Sequence, residues 1–140
     1  MSIDVQKIEL LRLCTNFREM ILSLDQKNKP SVLKDFPIGS CGITCILLSQ
    51  YIEDNTKKRC LYVAGEKSDG FSHAWLVVGK FIVDITADQF LDCSQQVIVT
   101  KNSMWHKQFK KINSHIVNID AYQEQSFIYW SYYNTILSGK

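Results

Sequence analysis

From Ser72 to Val78 and again from Phe81 to Thr86 the chain runs through apolar and β-branched residues, divided only by Gly79-Lys80. Two such runs abutting a two-residue turn leave little alternative to an antiparallel hairpin. Glycine in the first loop position suits a type II′ turn, whose twist matches that of the flanking strands. That turn sets Val78 opposite Phe81, Leu76 opposite Val83, Trp75 opposite Asp84 and His73 opposite Thr86. Because side chains alternate, Ala74, Leu76, Val78, Phe81, Val83 and Ile85 share one face, wholly apolar and due for burial. The other face carries His73, Trp75, Val77, Ile82, Asp84 and Thr86. His73 and Asp84 thus become diagonal cross-strand neighbours, about 7–8 Å apart by backbone and within imidazole–carboxylate reach. A slip of one residue would send them to opposite faces.

Around this hairpin the periodicity changes. Leu10, Leu13, Cys14, Phe17, Met20, Ile21 and Leu24 recur at three- and four-residue steps, which predicts a helix over 3–24. Asp4 is its expected cap, with Ile3 and Ile8 spaced as a hydrophobic staple. The polar stretch 25–30, ending in Pro30, reads as a loop. A second helix is predicted over 41–52, burying Leu47, Leu48, Tyr51 and Ile52 or a subset of them. Further strands are expected at 60–65 and 96–100. A closing helix is expected over 120–137, with Asp120 and Gln123 at capping-box spacing and an aromatic stripe of Tyr129, Trp130 and Tyr133 for the core. With no repeat, linker or low-complexity tract, residues 1–140 read as one α+β domain: helices first, a small antiparallel sheet, then a helix.

The start of the second helix is where chemistry enters. Cys41 sits in Phe36-Pro37-Ile38-Gly39-Ser40-Cys41-Gly42-Ile43-Thr44, small turn-forming residues leading directly into the helix. A thiol there faces unpaired backbone N–H groups and the positive end of the helix dipole, both of which favour the thiolate, the nucleophilic form. With His73 as base and Asp84 fixing its tautomer and charge, the set matches nucleophilic attack on a carbonyl carbon. The backbone N–H of Cys41 is one expected oxyanion donor. No glutamine or asparagine directly precedes Cys41 to supply a second.

Composition narrows the company such a site keeps. The charged fraction is 21% and the net charge only +2, so nothing resembles a polyanion-binding footprint and no nucleic-acid partner is expected. No apolar run reaches the ~18 residues of a membrane span. Asp4 and Glu9 interrupt the N-terminal apolar pattern, so no signal peptide is read there. Five cysteines without regular spacing point to a reducing compartment, hence a soluble cytoplasmic protein; export without a cleaved signal stays open. Cys14, Cys45, Cys60 and Cys93 read as structural core thiols, Cys45 because it lies one turn inside the helix from Cys41. Cys41 and Cys45 lack a second pair at zinc spacing, so no metal and no cofactor is expected. Asp88, beyond the strand, reads as a turn former. His106 and His115 read as surface residues, and Trp105–Lys111 as a solvated face with one buried stripe.

Gly39-Ser40-Cys41-Gly42-Ile43-Thr44, His73-Ala74-Trp75-Leu76-Val77-Val78 and Val83-Asp84-Ile85-Thr86 together resemble the papain-like superfamily, and its transglutaminase-like branch most closely. There a helix bears the cysteine and a short antiparallel sheet bears the histidine and aspartate in that order. The resemblance spans residues 36–90. It implies a Cys41–His73–Asp84 triad acting on an amide, ester or thioester of a protein or peptide. Relatives include thiol peptidases, transglutaminases, glutamine deamidases, arylamine acetyltransferases and leader peptidases. Two enzyme readings stay open: a narrow-specificity cysteine peptidase or amidase, and a glutamine deamidase or transglutaminase of the kind bacterial effectors and toxins use. A non-catalytic binding protein on the same fold is the reading from another class.

Overall fold

The computed structural model describes residues 4–140. The proposed staple includes Ile3 and so lies outside them. The first helix, α1 (Val5–Ser23), is capped as expected: the Asp4 carboxylate accepts from the Lys7 N–H at 3.2 Å. It buries Leu10, Leu13, Cys14, Phe17 and Ile21. The second, α2 (Cys41–Thr56), extends one turn beyond its predicted end and buries Cys45, Leu47, Leu48 and Ile52, with Tyr51 half-buried.

Five antiparallel strands follow: β1 (Leu61–Glu66), β2 (Ser72–Val78), β3 (Phe81–Asp84), β4 (Ile98–Thr100) and β5 (Lys110–Ile116), in the order β4-β3-β2-β1-β5. The hairpin register is the one the turn dictates, with Leu76 opposite Val83, Val77 opposite Ile82 and Val78 opposite Phe81. Gly79 takes φ +59° while Lys80 stays out of the left-handed region, as a II′ turn requires. The apolar face of the hairpin packs with α1 and α2 into one core that reaches from Leu10 to Ile136 and includes Leu76, Phe81, Val83 and Ile85.

The opposite face is also covered. Val63, Trp75 and Phe109 form a second, smaller core flanked by Val77, Ile82, Phe90 and Trp105. The chain returning from β4 through Trp105 and Phe109 lies over the His73 end of the sheet and then forms β5. No strand was expected at 110–116. β5 is an edge strand exposed along nearly all its length, so it lacks the apolar alternation that betrays a strand.

Four other expectations change. The C-terminal helix α3 spans Ser126–Ser138; residues Ile119–Gln125 before it form a 3-10 segment broken at Gln123 (φ 50°). The Asp120–Gln123 capping box does not form, because Asp120 instead accepts the Trp130 indole N–H at 2.8 Å. His115 is not free at the surface: it is half-buried, stacked on Tyr62 and hydrogen-bonded to the Tyr122 hydroxyl at 2.7 Å. Cys93 is half-buried rather than a core thiol. No helix among the described residues is long and apolar enough to cross a membrane.

Asp88 is in a short 3-10 turn after β3, but its carboxylate does more than shape that turn. It grips the nearly buried Arg18 of α1 through two bonds of 2.9 and 2.8 Å, and Arg18 also donates to the carbonyls of Ile85 and Gln96. The pair ties α1 to the segment just after β3. Removing one partner of a buried ion pair strands the other's charge. Asp88→Ala should therefore cost about 2–4 kcal/mol, moderated by the two carbonyls that Arg18 keeps. Urea denaturation checks this; a loss below half a kcal/mol would show the pair to be ornamental.

Candidate active site

The sequence places the three expected residues on α2, β2 and β3, and the fold decides what each one meets. Cys41 is the first residue of α2. Ser40, in the N-cap position, turns its hydroxyl onto the Pro37 carbonyl at 3.1 Å and caps no helical N–H. The first-turn N–H groups of α2 therefore have no side-chain cap. The approach to Cys41 is fixed by Gln89, whose amide oxygen accepts from the Gly39 N–H at 3.2 Å while its nitrogen donates to the Thr86 carbonyl at 3.0 Å. One side chain thus splices the loop before the cysteine to the end of the hairpin. Sequence reasoning gave Gln89 no such role.

His73 Nε2 and Asp84 Oδ2 are 2.7 Å apart, and both residues are buried, at 1% and 2% exposure. The same-face assignment from the turn is what brings them together. Aromatic rings enclose the imidazole: the edges of Phe90 and Trp105 at 5.1 and 5.5 Å, with Phe109 at 5.6 Å and Trp75 at 6.0 Å. Trp105 is held there by its indole N–H on Asp92.

Asp84 has a further partner that the sequence reading placed at the surface. His106 is only 3% exposed, and its Nε2 meets the same Asp84 Oδ2 at 2.7 Å. The other oxygen, Oδ1, accepts from the backbone N–H of Thr86 at 2.9 Å and faces the Thr86 hydroxyl at 3.4 Å. Ser103 backs the second imidazole: its oxygen is 2.6 Å from His106 Nδ1 and accepts the His106 backbone N–H at 3.2 Å. The signal for His106 lay in the Trp105–Phe109 run, where a buried stripe was expected. What that stripe would cover is set by tertiary packing.

Burial pushes the Asp84 carboxyl up, but His106 and His73 outweigh it and hold it at about 2. Burial alone would lower His73; its bond to Asp84 and its proximity to the Cys41 thiol raise it to about 9. Burial likewise raises the Cys41 thiol, yet His73 and the backbone N–H of Ala74 bring it below the ordinary thiol value. Cys14, Cys45 and Cys60 are all raised by burial, and Cys93 is raised as well. Cys41 stands apart among the five. His73 Nδ1 is buried and has no hydrogen bond closed on it. Nε2 is committed to Asp84, so Nδ1 is the ring nitrogen left without a partner.

His73, Asp84 and His106 also bring three ligand atoms within 4.8 Å of one another. Ligands held at about 2.0–2.1 Å on a tetrahedral zinc sit roughly 3.3 Å apart, whereas both nitrogens here are at hydrogen-bond distance from one oxygen. The donor set fits a proton-bearing network better than a metal. A cavity of about 430 Å³ opens beside the site, bounded by Ile38 near Cys41, Ser72 next to His73, Phe90, Lys67, Phe71 and Leu91. A larger one between α1 and α3 contains neither cysteine nor histidine. No protein-family model, curated protein or solved structure matches the chain.

The pKa shifts carry a sign for stability. His73 is raised from 6.5 to about 9, so its stabilising contribution is complete below 6.5 and disappears as pH climbs through 9. Asp84 is lowered from 3.8 to about 2, so its contribution is complete above 3.8 and is lost only as pH falls through 2. The stability gap between the wild-type protein and His73→Gln should accordingly shrink between pH 6.5 and 9. Urea midpoints measured across that range check it, and a gap that widens with pH would refute the raised His73.

Proposed function

We propose that this chain is a cysteine-dependent acyl-transfer enzyme, on a papain-like and transglutaminase-like arrangement, that hydrolyses a carboxamide through a thioacyl intermediate. The observation that carries the reading is the mutual shift of Cys41 and His73 across an unclaimed Nδ1, with Asp84 fixed on the opposite nitrogen. A cysteine lowered and a histidine raised against burial are what a thiolate–imidazolium pair produces, with Asp84 contributing most of the rise of His73.

In this mechanism the Cys41 thiolate adds to the carbonyl carbon, forming a C–S bond and an oxyanion. The uncapped N–H groups at the start of α2 are aligned to stabilise that charge. The His73 imidazolium gives its Nδ1 proton to the leaving nitrogen, the C–N bond breaks and the thioester remains. Water then attacks the thioester and loses its proton to Nδ1, and the carboxylic acid leaves as the Cys41 thiolate is regenerated. Throughout, Asp84 keeps Nε2 protonated and stabilises the imidazolium. The cavity between Ile38 and Phe71, small and rimmed by exposed apolar side chains, supports a peptide substrate of narrow range.

An activated acetyl ester tests the chemistry without a known substrate. Incubation with p-nitrophenyl acetate should give a burst of nitrophenolate and an acetyl group mapped to Cys41. Asp84→Asn should slow acylation on the order of tenfold to a thousandfold, less than the ~10⁴-fold of the serine triad, because here the imidazole is already charged. Asp88→Asn should leave the rate of the folded protein unchanged. Acetylation spread over several thiols, or more damage from Asp88→Asn than from Asp84→Asn, would overturn the assignment.

A further inference from the structure

The second imidazole is not needed to write the chemistry above, yet it is buried and bonded through both ring nitrogens. His106 and His73 both point Nε2 at one oxygen of Asp84. An ionised carboxylate oxygen only accepts, so each histidine must present an N–H there. For His73 that requirement leaves Nδ1 without a hydrogen bond. For His106 it does not, because Nδ1 is already met by Ser103 at 2.6 Å. The Ser103 oxygen accepts the His106 backbone N–H, so its own hydrogen is available to donate to Nδ1. A Ser103 hydroxyl donated to Nδ1 braces the His106 ring with an Nε2 proton turned to Asp84.

Resting on the Cys41–His73 reading, we infer that His106, braced by Ser103, is a positioning residue that holds the Asp84 carboxylate against His73. The physical need is clear. A carboxylate 2% exposed turns toward whatever donor it can find unless all its lone pairs are engaged. Thr86 occupies Oδ1, and His106 supplies the second donor on Oδ2. Asp84 is thereby pinned at both ends, and His73 is the partner whose second ring nitrogen has no hydrogen bond. The groups facing this network are few. Cys41 and Cys45 approach from α2 and Cys14 from α1, the latter two held as neutral thiols by burial. Lys67, just after β1, lies over the rings of Phe90 and Phe109. Cys93 approaches from the loop after β3, and Asp88 is taken by Arg18.

The pH profile of Cys41 alkylation by iodoacetamide, followed by peptide mapping, reads this positioning directly. His106→Ala should move the acidic limb toward higher pH and slow labelling at mildly acidic pH by about ten- to a hundredfold, the worth of one hydrogen bond to a buried charge. His106→Gln, which still offers an N–H to Asp84, should recover most of the rate. Ser103→Ala, which removes that brace, should fall between wild type and His106→Ala. A wild-type profile in folded His106→Ala, or a shift toward lower pH, overturns the inference. If His106→Ala does not fold, Ser103→Ala and His106→Gln decide, and unshifted profiles in both count against it. His73→Ala run alongside separates the two levels: if it leaves labelling unchanged, the ion pair itself fails and not merely its support. Stoichiometric zinc should leave the wild-type profile unaltered, and zinc binding that His106→Gln abolishes would make the cluster a metal site instead.

Discussion

The structure hangs on a carboxylate kept ionised where water does not reach. Asp84 is buried between two aromatic-walled imidazoles and the Thr86 backbone, and its charge is tolerable only because both oxygens are engaged. Isolated, such an ion would be neutralised by a large pKa rise. Held this way it instead sits at about 2 and lifts His73 to about 9. The lowered thiol of Cys41 follows from that imidazole. Each property of the site is a consequence of the one before, and the first depends on packing 22 residues away in sequence, at His106.

The fold supplies this packing from both sides of the sheet. The α1–α2 core fixes the apolar face of the hairpin and brings the start of α2 to the His73 end of β2. The small core of Val63, Trp75 and Phe109 seals the polar face, which would otherwise leave the His73–Asp84 bond open to water and screened. Gly65 lets the chain close over that face: a Cβ there would meet Phe109 Cβ at 2.8 Å and the Lys110 carbonyl at 3.1 Å. The close approach coincides with the register shift between β1 and β5. Arg18 and Asp88 play the equivalent part on the helical side, pinning α1 to the turn after β3.

What was legible in the sequence were the features with a local cause. A glycine-led two-residue turn sets its own register, so the face shared by His73 and Asp84 followed from counting. Asp4 and the three- and four-residue spacing of Leu10 to Ile21 fixed α1, and the small residues around Cys41 marked a helix start. What stayed illegible depends on segments distant in sequence. β5 is exposed along nearly all its length and carries no apolar alternation. His106 looked solvated because its acidic partner lies 22 residues away on another strand. Asp88 looked like a turn residue because Arg18 is 70 residues away. Gln123 adopts a left-handed φ that no neighbouring residue announces, and it shortened the last helix.

The chemistry of the site turns on the charge of His73, and nitrogen NMR of the imidazole reads that charge without a substrate. With histidine labelled, both ring nitrogens of His73 should carry protons at neutral pH and titrate together with a midpoint of about 9. Cys41→Ala should bring that midpoint down, since the thiolate is one of the groups holding the proton in place. A His73 ring protonated on Nε2 alone at neutral pH, with a midpoint indifferent to Cys41→Ala, would contradict the ion pair and the chemistry built on it.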